Sequence, residues 1–594
     1  MKLQTSLLTL ILLSGCATAP PRPANITRGD YTATLAYVTK LIQYEMDQNK
    51  VAGLSIALVD DQKIVWSDGF GYADQARKIP ATGETLYRVG SISKLFTDAA
   101  AMQLAEQGRL DIDQPLRNFL PGFAIKTRFS GADEITLRQL MTHHAGLPRD
   151  RQKGFMNPHP APFTDLVSDI REDYAAYPPG LILSYSNLGV TLLGNAIQHQ
   201  SGMPFADYMQ QALLTPLGMT SSSFDTGLAA SPLMALGHHG RDAAVEPPLR
   251  DVPAGGLNSS VTDMGRFMAM IFSGGTSGNH RILKSNTITE MLRPQNTTVP
   301  LDLNFRVGLG WMLSTVGSST IENAGTVAHH SGATALFRSQ MYVLPEHKLG
   351  VIVLSNSSTA GQVVDHIATE TLSLALEAKT GILQTKHSKV QRVNEPLSAT
   401  TVQDYVGSYT TVAGYVRIYE SGKSLRVDAA GHSFELVQRS DGLLGLDYAL
   451  LGIFHIDLGP LADIGFSRRT VAGRDLHNAR SGTQEIMVGQ RIAPLANPSA
   501  WQRYLGDYEI TNLEGDHKFM DRIRLTEERG FLLVEMTPTD ARGETARIPL
   551  MPVSENEALL LGALNDGGDT VRVVRVNGEE RVLVSGYQLK KIVR

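Results

Sequence analysis

The length and composition of the chain indicate a large globular protein with more than one domain. It has 594 residues, of which 42% are hydrophobic and 19% charged, a balance that permits large apolar cores. The 54 basic and 59 acidic residues give a net charge of −5. Since no basic block stands out, nucleic acid is not expected as a partner.

The first residues have the pattern of an export signal. Lys2 precedes an apolar stretch, residues 7–13, that is too short to span a bilayer as a mature helix. It ends in Leu13-Ser-Gly-Cys16, which resembles a bacterial lipobox and so implies cleavage before Cys16 and a lipid on its sulfur. Cys16 is the only cysteine, so an internal disulfide is impossible. The alternative is an ordinary secretory peptide with an incidental cysteine.

The residue after Cys16 bears on location. Ala17 resembles the pattern of Gram-negative lipoproteins that are sent to the outer membrane. We therefore expect residues 1–16 to be a signal peptide and the protein to be lipid-anchored at the periplasmic face of the outer membrane or at the cell surface. Three prolines in residues 17–30 (Pro20, Pro21 and Pro23) predict a stiff tether. No later stretch is long and apolar enough to cross a bilayer.

Residues 31–383 alternate between helical and strand patterns. Residues 51–59 and 63–67 are apolar runs around Asp60-Asp61, which predicts a hairpin, and residues 337–344 and 350–355 form a second pair. Long helical patterns lie between the two pairs. The expected fold class is α+β, an antiparallel sheet made from both ends of the domain and flanked by helices.

The C-terminal part contains an internal repeat. Residues 384–400 are polar and non-periodic, which predicts a linker. Tyr405-Val-Gly-Ser-Tyr409 recurs 99 residues later as Tyr504-Leu-Gly-Asp-Tyr508, and each copy opens a run of short alternating strands. We expect two small all-β domains, barrels or sandwiches, at residues 401–492 and 493–594. No catalytic cluster is visible in them.

Ser91-Ile-Ser-Lys94 is the most informative motif. Apolar residues at i, i+3, i+4, i+7 and i+8 predict a buried helix over residues 91–107, with Gly108 as its stop. Ser91 then lies in the first turn, where the helix end favours developing negative charge, and Lys94 shares its face. Burial disfavours an ammonium, so Lys94 is a candidate proton acceptor. Alone, a Ser-x-x-Lys is common by chance.

Tyr185-Ser-Asn187 follows the turn Pro178-Pro-Gly180. A phenol beside an ammonium is easier to ionise, so Tyr185 is a candidate for proton transfer with Ser91. Asn187 offers a donor and an acceptor to a substrate amide. The alternative is a tyrosine that caps the helix beginning near Leu188.

His330-Ser-Gly332 is placed by its sequence at the start of the strand region 337–344. Glycine at a strand edge allows close approach of a substrate. The N–H groups of Ala333 and Ser91 are candidates for an oxyanion hole. His330 is a candidate contact for a substrate carboxylate, acting as a strand-borne cation, or for proton transfer. A metal pair with His329 is disfavoured because neighbouring side chains on a strand point to opposite faces, so neither metal nor cofactor is expected.

Two other patterns are excluded as sites. Lys379-Thr-Gly381 follows a helical run, and Gly381 has the position of that helix's cap, so we interpret the motif as structural. No Gly-x-Ser-x-Gly elbow occurs, so an α/β-hydrolase would lack its nucleophile.

Taken in order, these triplets resemble those of the serine β-lactamase and penicillin-binding-protein superfamily. The closer resemblance is to its class C branch, which holds class C β-lactamases, DD-peptidases, D-aminopeptidases and family VIII esterases. This closer resemblance is supported by further stretches at residues 140–148, 216–219, 253–257 and 263–264. The resemblance covers about residues 31–370 and implies that Ser91 is acylated, that Lys94 and Tyr185 move protons, and that Asn187 holds the substrate amide. His330 stands where the third motif often has lysine, and Leu336 where the family often has glycine. The two C-terminal β domains resemble those of D-aminopeptidases.

The expected function is that of a serine acyl hydrolase acting on D-amino-acid-containing peptides or related amides, including peptidoglycan-derived ones. A histidine in the third motif is seen in DD-peptidase-like and D-aminopeptidase-like members, which disfavours a dedicated β-lactamase. The alternatives are a β-lactamase or carboxylesterase with the same residues, and a non-catalytic penicillin-binding sensor of the cell wall.

Overall fold

The computed structural model describes most of the chain. The described residues are 18–131, 134–225, 231–315, 320–384 and 397–593, the last range without 423, 430, 451–453, 456–463, 482–483, 496–498, 519, 540–544 and 563–566. Cys16 and the signal peptide predicted around it therefore lie outside the described residues, as does most of the predicted linker. Within the described ranges, no helix combines the length and apolarity that a bilayer crossing requires.

The N-terminal domain is built from ten helices and twelve strands among the described residues. The helices are α1 (Thr32–Gln48), α2 (Ser93–Glu106), α3 (Leu137–Met141), α4 (Leu166–Asp169), α5 (Asn187–Ser201), α6 (Phe205–Met209), α7 (Val252–Gly255), α8 (Val261–Phe272), α9 (Ser285–Leu292) and α10 (Gly361–Thr380). The strands are β1 (Gly53–Asp60), β2 (Lys63–Asp74), β3 (Ile79–Pro80), β4 (Tyr87–Arg88), β5 (Gly237–His239), β6 (Asp242–Ala244), β7 (Asn258–Ser259), β8 (Thr276–Ser277), β9 (His280–Arg281), β10 (Ala328–Ala333), β11 (Arg338–Leu344) and β12 (Leu349–Ser355).

The central sheet confirms the predicted α+β class. Its order is β10-β11-β12-β1-β2-β3, and the first and last parts of the domain meet where Leu54 of β1 pairs with Ser355 of β12. β1 is buried along almost its whole length because helices cover both faces of the sheet, which explains its continuous apolar run. Leu54, Ile56 and Leu58 face the core under α1 and α10, while Ala57 and Val59 face the larger core under α2 and α8.

The described part of the segment predicted as a stiff tether contacts this domain. Arg22 donates hydrogen bonds to Gln384 O (2.6 Å) and to Ser373 Oγ (3.1 Å), and Gly29 N donates to Ala378 O (2.7 Å). Two residues of this segment thus have polar partners in α10 and at Gln384, four residues after its end.

The C-terminal part forms two closed β-barrels, as the repeat predicts. After helix α11 (Ala399–Tyr405) the first contains β13 (Gly407–Thr411), β14 (Gly414–Ser421), β15 (Ser424–Ala429), β16 (His432–Gln438), β17 (Leu444–Asp447), β20 (Gly465–Val471), β21 (Arg474–Ser481) and β22 (Gln484–Ile492), with the separate pair β18 (Ala449–Leu450) and β19 (Phe454–His455). The second contains β23 (Gly506–Ile510), β24 (Met520–Glu528), β25 (Phe531–Pro538), β26 (Ala546–Pro552), β27 (Glu557–Leu560), β28 (Thr570–Val576), β29 (Glu579–Val584) and β30 (Tyr587–Lys591).

The two copies of the tyrosine repeat make the same contact. The hydroxyl of Tyr409 donates to Tyr405 O (2.7 Å), and that of Tyr508 donates to Tyr504 O (2.5 Å). In both barrels this bond ties the first strand to the short helix before it. The repeated sequence thus encodes the same start of each barrel, where the first strand is held in place and pairs with the last strand.

Candidate active site

Ser91 lies on a single 3₁₀ turn, Gly90–Ile92, immediately before α2. The turn approaches β10 so closely that a Cβ on Gly90 would lie 2.7 Å from Ala333 N, and Gly90 also has a positive φ of 56°. Both observations require glycine before the serine. Ser91 is half-buried, whereas almost all of α2 behind it is buried. The predicted helix is thus confirmed, and Gly108, with φ 70°, follows its end.

Lys94 is completely buried beside Ser91. Its Nζ donates to Ser91 Oγ (3.0 Å) and to Ala254 O (2.7 Å), the latter in α7. Burial lowers the pKa of Lys94 to about 7, although nearby Asp150 and Asp98 oppose the shift. The amine is therefore available in its neutral form near neutral pH, as the sequence predicts for a proton acceptor.

Tyr185 completes a cluster with Ser91 and Lys94. Its hydroxyl is hydrogen-bonded to the Ser91 side chain, and Lys94 Nζ lies 4.9 Å from its ring centroid. Burial raises the pKa of Tyr185, so the phenol stays protonated in the free protein. The expectation that Tyr185 would be easier to ionise is wrong, because burial outweighs the hydrogen bond with Ser91 and the charge of Arg149, which both lower its pKa. The helix α5 that follows is capped by Ser186, which accepts from Gly189 N (2.9 Å), and not by the tyrosine.

His143 is a neighbour of Tyr185 that the sequence analysis did not single out. Its ring centroid lies 4.2 Å from that of Tyr185, and its Nδ1 accepts a hydrogen bond from Ser186 N (3.2 Å). His143 has a positive φ of 59°. Burial lowers the pKa of its imidazole well below the ordinary value. A neutral imidazole with a strained backbone is thus packed behind the phenol. The only sequence feature that pointed to His143 was its place in the stretch 140–148, which supports the family resemblance.

His330 is placed near the cluster, but it is neutral. It lies on β10, a separate edge strand that pairs with β11, and its ring centroid is 6.2 Å from that of Tyr185. Burial and the charge of Lys94 lower the pKa of His330 to about 3. Its Nδ1 faces Ser331 O at 2.6 Å, so Nδ1 carries the hydrogen and Nε2 is an acceptor. The prediction of a strand-borne cation is therefore wrong, because the side chain is buried.

An open cleft adjoins the serine. Ser91, Asn187 and Ala333 line it together, as predicted for nucleophile, amide contact and oxyanion donor. Gly332 is buried behind the lining of the cleft, where a Cβ on it would lie 2.0 Å from Val89 O. The side-chain amide of Asn187 donates to Asp150 Oδ1 (2.8 Å), which fixes its orientation.

The charged residues of the cleft were not predicted. Arg88 lines it with Glu246, with 3.7 Å between Arg88 Nη1 and Glu246 Oε1. Burial raises the pKa of Glu246 and lowers that of Arg88. Leu336, where the family often has glycine, is buried against Gly237 outside the cleft, and its N–H donates to Glu246 Oε2 (2.8 Å). The side chain that distinguishes Leu336 from glycine thus packs on Gly237, and only its backbone reaches Glu246.

Lys379 and Gly381 have the structural role predicted for them. Gly381 follows α10 with φ 82°, and Lys379 Nζ donates to Asp60 Oδ1 (2.5 Å) and His347 O (2.7 Å). The two histidines of β10 point apart: His329 stacks on Tyr342 at 5.0 Å. No group of three or more His, Cys, Asp or Glu side chains in the described part of the chain is placed to hold a metal.

The sequence and the fold place the chain in a known family. It matches the beta-lactamase family over residues 38–375, which is more than half of its length, and therefore belongs to that family. Members of this family are in general serine hydrolases.

Two relatives illustrate the range of the family. Protein flp of Staphylococcus aureus (strain N315) is 26% identical over 344 residues, which cover 56% of this chain and 66% of flp, just under two thirds of its length. Beta-lactamase-like protein 2 of Dictyostelium discoideum is 24% identical over 441 residues, 68% of this chain and 77% of the relative.

Solved structures share the fold. An octameric penicillin-binding protein homologue from Pyrococcus abyssi superposes with a TM-score of 0.50 at 23% identity, and SurE with D-Leu superposes with a TM-score of 0.53 at 22% identity. Each comparison covers 77% of this chain and 99% of the other. At these identities the likeness concerns the fold alone.

Proposed function

We propose that the protein is a serine acyl hydrolase that forms an acyl-enzyme on Ser91. The observation that supports this most directly is the hydrogen bond from buried Lys94 Nζ to Ser91 Oγ, with the pKa of Lys94 lowered to about 7. A neutral amine at this position takes the hydroxyl proton as the nucleophile attacks. Tyr185 is also hydrogen-bonded to Ser91, and its protonated hydroxyl can donate a proton to the leaving group.

The proposed reaction has two balanced halves. Ser91 Oγ bonds to the substrate carbonyl carbon, its proton moves to Lys94, and the carbonyl oxygen becomes an oxyanion held by the N–H groups of Ser91 and Ala333. The bond to the leaving group then breaks as that group gains a proton, either directly from the Lys94 ammonium or from the Tyr185 hydroxyl, which the Lys94 ammonium then reprotonates. Water next adds to the acyl carbon and gives a proton to the neutral Lys94. The bond from the acyl carbon to Ser91 Oγ then breaks as Oγ takes that proton from Lys94, which releases the acid and restores Ser91 and Lys94.

We propose D-amino-acid-containing peptides or related amides as the substrate class, with peptidoglycan fragments as the natural source. Asn187 supports an amide substrate, since it lies in the cleft with its orientation fixed by Asp150. The structure of SurE with D-Leu concerns a protein of the same fold, and it is a further reason to test D-amino acids. The histidine in the third motif favours the peptidase-like and D-aminopeptidase-like members of the class C branch.

The other proposals concern the N-terminus. The lipobox pattern supports a lipid on Cys16, and Ala17 supports residence at the outer membrane, where the protein would meet wall fragments.

The nucleophile is tested with Ser91→Ala. We expect turnover to fall about 10⁶-fold, as for other serine nucleophiles, and labelling by a fluorophosphonate or fluorescent penicillin to vanish. The mass of the adduct on Ser91 identifies the acyl group. A loss of only a few-fold contradicts the assignment, and a wild-type protein that none of these probes labels would favour the non-catalytic sensor.

The substrate class is tested by offering a D-alanyl peptide, its L-alanyl counterpart, a p-nitrophenyl ester and nitrocefin to the same preparation. Preference for the D-peptide supports the proposal. Turnover of nitrocefin or of the ester far above that of the peptide would instead support the β-lactamase or the carboxylesterase.

A further inference from the structure

One side of the Ser91 cleft is formed by residues 150–157, which we call the wall segment. The segment contains neither helix nor strand. Phe155 and Met156 line the cleft, and Asp150 orients Asn187 through the hydrogen bond described above. Whatever holds this segment therefore sets both the shape of the cleft and the position of Asn187.

The inner side of the wall segment is held by the N-terminal domain itself. Arg250 is buried and donates to Lys153 O (2.6 Å) and to Arg151 O (2.8 Å), while Arg250 N donates to Phe155 O (3.1 Å). Its Nε bonds to Asp251 Oδ1 (2.7 Å), which keeps the guanidinium in place. These bonds satisfy carbonyl groups and leave the N–H groups of the segment to other partners.

The second barrel supplies those partners. Ser585 Oγ accepts from Gln152 N (2.9 Å) and Ser585 O from Lys153 N (3.1 Å), while Asp516 Oδ2 accepts from Gly154 N (2.9 Å). A fourth bond runs from His517 N to Met156 O (3.2 Å). Backbone polar groups of a packed segment need partners, so the docked barrel determines the conformation of the wall.

Asp516 makes the densest set of these contacts. It is 5% exposed, and besides Gly154 it binds Asn157 Nδ2 (2.6 Å) and lies 3.2 Å from Lys153 Nζ. Burial opposes its ionisation, but these hydrogen bonds and Lys153 lower the pKa of Asp516, so it is ionised at neutral pH. One carboxylate from the C-terminal barrel thus gathers three residues of the wall segment.

We propose that Asp516 is a positioning residue that sets which acyl donors the Ser91 cleft accepts, by holding the wall segment against the second barrel. The proposal rests on the proposed acyl-hydrolase function. It assigns the second barrel a role in substrate selection, because a large acyl donor must contact Phe155, Met156 and Asn187, whereas a small ester reaches Ser91 without them.

The test compares Asp516→Ala and Asp516→Asn with Asp521→Ala, which removes an exposed aspartate of the same barrel that forms a surface ion pair with Lys518. For an N-acylated D-dipeptide ester, we expect Asp516→Ala to lower kcat/KM about tenfold, mainly through KM, because misplacing a binding group by about 1 Å costs up to a hundredfold. For p-nitrophenyl acetate the change should stay within twofold. Asp516→Asn, which keeps an acceptor for Gly154 N, should fall between, and Asp521→Ala should match the wild type.

Asn157→Ala removes a contact of Asp516 from the wall side and serves as the second variant if Asp516→Ala does not fold. The same shift in the ratio of dipeptide to acetate activity supports the proposal. Equal losses on both substrates, or no loss on either, overturn it. Fluorophosphonate labelling of wild-type Ser91 is measured in parallel, because absence of labelling defeats the proposed function, whereas labelling with an unchanged ratio defeats only the role of Asp516.

Discussion

At the scale of single residues, the neighbours of Lys94 determine what the site can do. Three carboxyl groups, Asp150, Asp98 and Asp251, favour its ammonium, but burial and Arg149 oppose it, and burial dominates. Asp98, one helical turn away, is itself buried with neither oxygen hydrogen-bonded within the described residues, and burial raises its pKa well above the usual range. The raised pKa of Asp98 weakens its support for the Lys94 ammonium, so burial of the amine remains the dominant effect and favours its neutral form.

The pH dependence of acylation follows from this. The active form requires neutral Lys94, so kcat/KM should rise about tenfold per pH unit below pH 7 and level off above it. The profile should show no second step from Tyr185 in the neutral range, because the pKa of that phenol is raised. The measurement is kcat/KM for a p-nitrophenyl ester from pH 5 to 9, with Lys94→Met as control. A profile that is flat, or that falls with pH, contradicts Lys94 as the base.

The predicted site residues that the structure brings together share a local or ordered signal in the sequence. Ser91 and Lys94 are one turn apart on a helix whose burial is visible in its periodicity, and Tyr185 was placed near them by the order of the motifs. The charge of His330 was mispredicted because burial of a side chain at a sheet edge depends on elements distant in sequence. His143 was missed because its partner Ser186 lies 43 residues away.

At the scale of elements, the contact between β10 and the Ser91 turn is the most constrained feature. Ser339 Oγ, on β11, donates to Val89 O (2.8 Å), and Gly332 on β10 lies against the same carbonyl. The turn and the sheet edge therefore have a fixed separation, which brings Ser91 and Ala333 together in the lining of the cleft.

Adding one methyl group at Gly332 should disturb this contact. In Gly332→Ala the new Cβ would lie 2.0 Å from Val89 O and 2.2 Å from Ser339 Oγ, so the strand must move, and overpacking of this kind costs about 1–3 kcal/mol. We expect a lower denaturant midpoint and slower labelling of Ser91. Gly361→Ala is the matched control because its Cβ meets nothing nearer than 3.9 Å. Unchanged labelling in Gly332→Ala would argue against an oxyanion donor at Ala333.

Hairpins and long helices were predictable at this scale, whereas short elements were not. β1, β2, β11 and β12 follow apolar runs and turn residues. β2 continues past the predicted run to Asp74, and this extension was missed because residues 68–72 are exposed or half-buried and show no apolar period. α7, which supplies Ala254 O to Lys94, is four residues long and too short for periodicity to show.

At the scale of the whole molecule, the barrels are linked to each other and to the N-terminal domain. Tyr415 of the first barrel packs with Phe531 and Leu533 of the second, and Leu476 and Met487 of the first pack on Ile182. The tyrosine repeat predicted two β domains, but their docking was not predictable because the contacts join residues that are distant in sequence.

The proposed lipid anchor also belongs to this scale. Changing Cys16 to serine should move the full-length protein from the membrane fraction to the soluble fraction and remove the mass of the lipid from its N-terminus, because the sulfur is the attachment atom. Ser14→Ala is the control, since it leaves the cysteine in place. A wild-type protein that carries no lipid, or a Cys16→Ser protein that stays with membranes, would contradict the proposal.

Two long-range contacts determine when the protein can mature. In one, β1 pairs with β12, and in the other the wall segment binds Ser585. The first pairing joins positions about 300 residues apart, and the second joins positions more than 430 apart. Contacts this distant form slowly and only after both partners have been synthesised. During translation Ser91 emerges early, but the cleft around it takes its final form only when the last strands of the chain have folded, so the final substrate range is acquired at the end of biogenesis.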